Sequence, residues 1–125
     1  MNKKILLVDD DISIVNIVGH SLKMFGFEVK TFHNPLKALD SLKNEKYDLL
    51  ITDIMMPQLD GMTLVKQLKD VELNKKIPIV FLSAKVLDEK DKKIIFENKF
   101  KYIKKPFMPN QIIEIINKIF NQKNA

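Results

Sequence analysis

Five short apolar runs set the frame of this chain: KILLV (4–8), FEVKTF (27–32), YDLLIT (47–52), IPIVFLS (77–83) and KYIKK (101–105). Each is the length of a β-strand and too short for a helix, and helical spacing fills the intervals. Ile14, Ile17, Val18, Leu22 and Phe25 mark the first helix, Leu36, Leu39 and Leu42 the second, and Met62, Val65 and Leu68 the third. A fourth is expected from about Asp88 to Asn98 and a fifth from about Pro109 to Gln122. Strands that are nearly continuous in Val, Ile and Leu and alternate strictly with helices predict a parallel sheet covered by helices on both faces. Right-handed crossovers leave few ways to thread such a chain, and for five strands the flavodoxin-like (βα)5 order 2-1-3-4-5 is the expected one.

At 125 residues the chain has the size of one domain able to close its own core. No linker or repeat interrupts it, and the last helical pattern runs almost to Ala125, so a single domain over residues 1–125 is expected. No apolar run approaches the roughly 20 residues needed to cross a bilayer, and the run in MNKKILLVDD is too short for a signal peptide. Cysteine is absent, which excludes disulfides and thiolate metal sites; a cytoplasmic location is expected. The net charge of +5 sits in the second half. All 21 basic residues are lysines, whereas phosphate and base-edge readers favour the bidentate guanidinium, so direct nucleic-acid binding is not expected.

In a sheet of this kind the ligand site lies beyond the carboxyl ends of the strands. Asp9 and Asp10 follow the first run, Asp53 follows the third, Ser83 stands at the end of the fourth, and Lys105 lies on the fifth. In the order 2-1-3-4-5 these strands are consecutive neighbours, so the side chains converge. Crowded carboxylates repel one another and raise one another's pKa unless a cation lies among them. All the available ligands are oxygens, and neither His20 nor His33 stands at a strand end, which favours a hard ion such as Mg²⁺. A carboxylate beside Mg²⁺, an ammonium and a hydroxyl is what a phosphoryl acceptor requires, with Asp53 as nucleophile.

The stretches ILLVDDD, DLLITDIMMPQLDG, IPIVFLSAK and YIKKPF, in that order and spacing, resemble the receiver domain of bacterial two-component response regulators, including its single-domain chemotaxis members. The resemblance covers essentially the whole chain. It implies that Asp9 and Asp10 hold Mg²⁺ together with Asp53 and the backbone carbonyl of Met55, and that Asp53 is phosphorylated. It further implies that Ser83 hydrogen-bonds the phosphoryl group, Lys105 pairs with it, and Tyr102 is a switch aromatic that rotates inward. The implied phosphoryl source is a histidine kinase or histidine phosphotransfer protein. The implied output surface is the fourth helix, fifth strand and fifth helix, on a monomer or a phosphorylation-dependent dimer. The Lys105–Pro106 bond is a candidate for the cis isomer.

Other readings stay open beside it. Asp is a favoured N-cap, but capping needs one residue, and Asp11 fills that role. Ser83 could serve only its local backbone, and Tyr102 could be only a packed edge aromatic. Pro57 and Gly61 turn the chain into the third helix, with no chemistry assigned. Where the family commonly has Gly-Ala and acids before the switch aromatic, this chain reads ENKFKY, in which Asn98 can take a left-handed conformation in place of Gly. Lys85, Lys90, Lys92, Lys93, Lys99 and Lys101 are either a solvated face or a surface for an acidic partner. A phosphohydrolase of the haloacid dehalogenase type would want a second Asp where Met55 stands. A flavin loop and a P-loop are both missing from a chain with three glycines. Two alternatives keep the fold: a phosphorylation-independent pseudo-receiver, and a receiver excised from a longer DNA-binding regulator.

Overall fold

A computed structural model describes residues 2–122; the expectation that the final helical pattern nears Ala125 falls outside them. The elements run β1 (Lys4–Val8), α1 (Ile12–Met24), β2 (Glu28–Phe32), α2 (Pro35–Asn44), β3 (Leu49–Asp53), α3 (Gly61–Leu68), β4 (Ile79–Ser83), α4 (Glu89–Glu97), β5 (Lys101–Lys104) and α5 (Pro109–Gln122). All pairings are parallel, in the order β2-β1-β3-β4-β5. This is the expected flavodoxin-like architecture.

Alternate residues of each strand face opposite sides of the sheet, and two apolar cores follow from that. Leu6, Val8, Leu50, Ile79 and Phe81 pack against α2 and α3 through Ala38, Leu42, Leu64 and Leu68. Ile5, Leu7, Leu49, Ile51, Val80 and Leu82 meet α1 and α5 through Val18, Leu22, Ile112 and Ile116. The middle strands β3 and β4 are buried along their whole length, apolar except for Thr52, Asp53 and Ser83 toward their carboxyl ends.

Several local expectations shift. The first helix turns Val15, Val18, Gly19 and Leu22 inward, while Ile17 and Phe25 stay exposed. In the second, Ala38 is buried and Leu36 is exposed. Asp11 caps α1, accepting from the Ser13 amide at 2.9 Å. Asp53 closes β3 rather than following it, and Lys105 stands just past β5 rather than on it, although its amide still donates to Ser83 O at 2.8 Å. The Lys105–Pro106 bond is cis. Asn98 does not adopt the left-handed conformation: its φ is −94°, and its side-chain amide donates to Ile94 O at 2.7 Å as a C-cap. The left-handed residue is Lys99, at φ 58°.

Candidate functional site

Asp9, Asp53 and Lys105 meet where the resemblance and the strand order put them, at the carboxyl ends of β1, β3 and β5. Asp9 is fully buried and Asp53 nearly so, while Asp10 is exposed at the rim. One carboxylate oxygen from each of the three lies within 4.8 Å of the others. The Lys105 ammonium reaches between two of them, 2.8 Å from Asp9 Oδ2 and 3.3 Å from Asp53 Oδ2. Asp9 Oδ1 is held by the Asp11 amide at 2.9 Å, and Asp53 Oδ1 receives a long bond from the Met55 amide at 3.4 Å. Asp9 Oδ2 is buried, with the Lys105 ammonium at 2.8 Å as its one polar contact described. A buried carboxylate oxygen with an open lone pair, next to two more carboxylates, suits a cation with hard-oxygen preference.

The electrostatics agree with that geometry. Burial pushes the Asp53 carboxyl up to about 6, the Asp9 charge adds to it, and Lys105 offsets only part. Burial on its own would lower the Lys105 ammonium, but hydrogen bonding and attraction to Asp9, then Asp53, outweigh it and hold Lys105 above the ordinary lysine value. It is a permanent cation at neutral pH. A testable consequence follows for stability without divalent metal. The folded chain binds the Asp53 proton more tightly than the unfolded chain, whose carboxyl titrates near 4. The resulting destabilisation is absent below about pH 4 and complete above about pH 6. Asp53→Asn is therefore expected to raise the unfolding temperature at pH 7.5 and to change it much less at pH 4.5. Thermal unfolding in chelator at both pH values measures this, and a variant less stable at pH 7.5 contradicts it.

Ser83 is buried at the end of β4, and its Oγ accepts from the Lys85 amide at 2.8 Å. Among the described hydrogen bonds it reaches none of the carboxylates. Tyr102 lies beside Phe81 in the β4–β5 register, half-buried. Its hydroxyl donates to Lys85 O at 3.2 Å and, more weakly, to Ser83 O at 3.5 Å. The Tyr102 hydroxyl thus ties the loop after β4 to β5. The Lys85 ammonium pairs with Asp91 at 2.8 Å, bracing the same loop against α4.

Sequence reasoning missed two residues of the site's framework. Gly61, read only as part of the turn into the third helix, has its amide hydrogen-bonded to Ile54 O at 2.7 Å, and a Cβ there would lie 2.1 Å from the Asp53 carbonyl oxygen. Thr52 is buried and donates its hydroxyl to that same oxygen at 2.9 Å. The signal for Gly61 was present in its place ahead of an apolar helical run, but the close approach needs the fold.

Comparison with known proteins bears on this arrangement directly. The family model for the response regulator receiver domain matches residues 5–117. The chain is 41% identical over 113 residues to the alkaline phosphatase synthesis transcriptional regulatory protein PhoP of Bacillus subtilis, covering 90% of this chain and 46% of PhoP. It spans about half the length of the curated relatives it matches. Among solved structures, the Vibrio cholerae chemotaxis protein CheY4 superposes with a TM-score of 0.85 at 30% identity, covering 94% of this chain and 98% of that one. The receiver domain of the sensor histidine kinase PA1611 from Pseudomonas aeruginosa, solved with a magnesium ion coordinated in its active site cleft, shares the fold. Its TM-score is 0.81 at 24% identity, covering 94% of this chain and 97% of that one. By the extent and continuity of the family match, the chain belongs to the response regulator receiver domains of two-component systems.

Proposed function

We propose that residues 1–125 form one receiver domain that works in the cytoplasm as a phosphoryl-accepting switch, with Asp53 as the acceptor. The observation that carries this reading is the Lys105 ammonium bridging Asp9 and Asp53 at 2.8 and 3.3 Å. A cation fixed beside a buried, ionisable carboxylate can neutralise phosphoryl oxygens as an Asp53 oxygen attacks phosphorus. The phosphoryl source is a histidine kinase or histidine phosphotransfer protein. The Asp53 O–P bond forms as the P–N bond to the donor imidazole breaks, and the imidazole nitrogen keeps the electron pair and takes a proton.

Mg²⁺ fits the open Asp9 oxygen and the all-oxygen donor set; Asp9, Asp10, Asp53 and the Met55 carbonyl would hold it, and it would supply charge neutralisation. The magnesium of the PA1611 receiver supports that choice. Lys105 then stays with the transferred group. Ser83 leaves the Lys85 amide to hydrogen-bond the phosphoryl group, and Tyr102, tied to Lys85 O, follows the loop inward. The α4–β5–α5 face carries the output, on a monomer or a phosphorylation-dependent dimer.

Intact mass after incubation with a small phosphodonor tests the reading. One added phosphoryl group is expected on the wild type with Mg²⁺, and none on Asp53→Asn or in chelator. Unaltered mass on the wild type with both small donors and a phosphorylated histidine phosphotransfer domain would leave a phosphorylation-independent binding module. A second reading concerns context and rests on the twofold greater length of the relatives: the domain regulates a DNA-binding unit elsewhere in a longer chain, as the transcriptional role named for PhoP suggests.

A further inference from the structure

At the end of the sheet away from the carboxylates, a groove of about 800 Å³ runs between α3, the loop entering β4, and the turn from α4 to β5. Its floor is apolar, with Leu68, Ile79 and the half-buried Ile95 and Phe100. At its mouth stands Phe96, 85% exposed at the end of a helix in which no apolar side chain is fully buried. The rim carries Lys69, Lys75, Lys76, Lys99 and Lys101, all exposed, and no acidic residue lines the groove. Among the described residues only Lys75 of these five has an ion pair, with Glu72 at 2.6 Å.

Backbone conformation adds a second observation. The turn out of α4 is closed by hydrogen bonds donated by the Lys99 amide to Phe96 O and by the Phe100 amide to Ile95 O, and it has one left-handed residue. Gly or Asn adopts that conformation at least cost, yet a lysine occupies it at φ 58° and an asparagine stands one position earlier. Strain kept at a non-glycine residue is a pointer to use of its side chain. Here that side chain adds a charge to the groove rim.

We infer that this groove docks an acidic, amphipathic segment of a partner protein, with a large apolar side chain seated on the Leu68–Phe100 floor and carboxylates facing the lysine rim. The charge of the rim selects the sign of the partner, and the apolar floor selects a peptide over a bare polyanion. A nucleic acid fits less well, because the rim has no arginine to stack on or pair with bases. The five residues of β4 separate groove from acceptor by about 16 Å, and the inference does not depend on phosphoryl transfer.

The test uses the full chain, ¹⁵N-labelled, and two 12-residue peptides rich in glutamate, one with a Leu-Phe pair at its centre and one with Ser-Ser there. The Leu-Phe peptide is expected to shift the amides of Leu68, Lys76, Lys99 and Phe100, to bind about tenfold more tightly than the Ser-Ser peptide, and to weaken as salt is raised. Reversing two exposed rim charges, Lys99→Glu with Lys101→Glu, is expected to weaken it about tenfold at an unchanged unfolding temperature. Asp53→Asn is expected to bind as the wild type does. Equal binding of the two peptides overturns the inference, as does an amide-shift pattern outside the groove. An oligothymidylate that occupies the groove more tightly than the Leu-Phe peptide overturns it in favour of nucleic acid. The peptide comparison is made on the wild type, so it decides the matter even if the double variant does not fold.

Discussion

Gly61→Ala is expected to lower stability by about 3 kcal/mol or more and to cut the rate of phosphoryl acceptance by about two orders of magnitude. Gly61 does not occupy the left-handed region, so backbone preference is not the reason. The first position of a helix tolerates alanine in general. The reason is space: the new Cβ would lie 2.1 Å from the Asp53 carbonyl oxygen and 3.0 Å from Ile54 Cα, both backbone atoms that can yield only by moving the end of β3. That end carries the proposed acceptor, and its carbonyl also takes the Thr52 hydroxyl bond. Gly26→Ala is the control. Gly26 has φ 94° with nothing within 4 Å of its Cβ position, so it should cost about 1 kcal/mol of conformational strain and leave acceptance untouched. Intact-mass kinetics together with denaturant unfolding on both variants separate the two effects. Normal acceptance by Gly61→Ala would mean that the acceptor tolerates movement of its own backbone.

Asn74→Ala is expected to be the converse case, with a loss of roughly 3–5 kcal/mol in stability and an unaltered acceptor. Asn74 is fully buried at the amino-terminal edge of the sheet. Its Oδ1 accepts from the Tyr47 amide at 2.8 Å, and its Nδ2 donates to Leu42 O at 2.5 Å and Glu45 O at 2.7 Å. One side chain thus satisfies three backbone groups at the junction of α2 and β3, and truncation strands all of them where water is scarce. Asp is not a rescue, since it cannot donate to the two carbonyls. An unfolding midpoint lower by about 10 °C or more is the expected readout. Below that temperature, phosphoryl acceptance per folded molecule should match the wild type. A small change in midpoint would show that solvent reaches these groups after truncation.

The sequence was most informative where a single physical rule acts along the chain. Strand order and both helix-covered faces followed from alternation, because a parallel strand buried on both sides must be apolar throughout. Asp9, Asp53 and Lys105 were legible because a topological rule brings strand ends together, and the family resemblance named the same residues. What escaped was set by contacts between elements. Ile17 and Phe25 match helical spacing, but the narrow seam under α1 is filled by Val18, Gly19 and Leu22, and the others turn outward. Lys99 rather than Asn98 takes the left-handed turn, and Asn98 caps the helix through Ile94 O, an arrangement that depends on the backbone around α4. Gly61 and Asn74 look ordinary in sequence, since their importance lies in backbone brought near from Asp53 and from Leu42.

The ammonium of this site enters from Lys105, 52 positions downstream of Asp53, just past the last strand of the sheet. A ribosome that has made only β1 through β4 has therefore built the acidic pocket without its fixed counter-charge. Such a nascent chain carries the mutual repulsion of its aspartates with no compensation, and non-local pairing of this kind forms late in folding. On the proposed chemistry, a half-made domain is deaf to its donor, and competence to receive a signal arrives together with the closing strand.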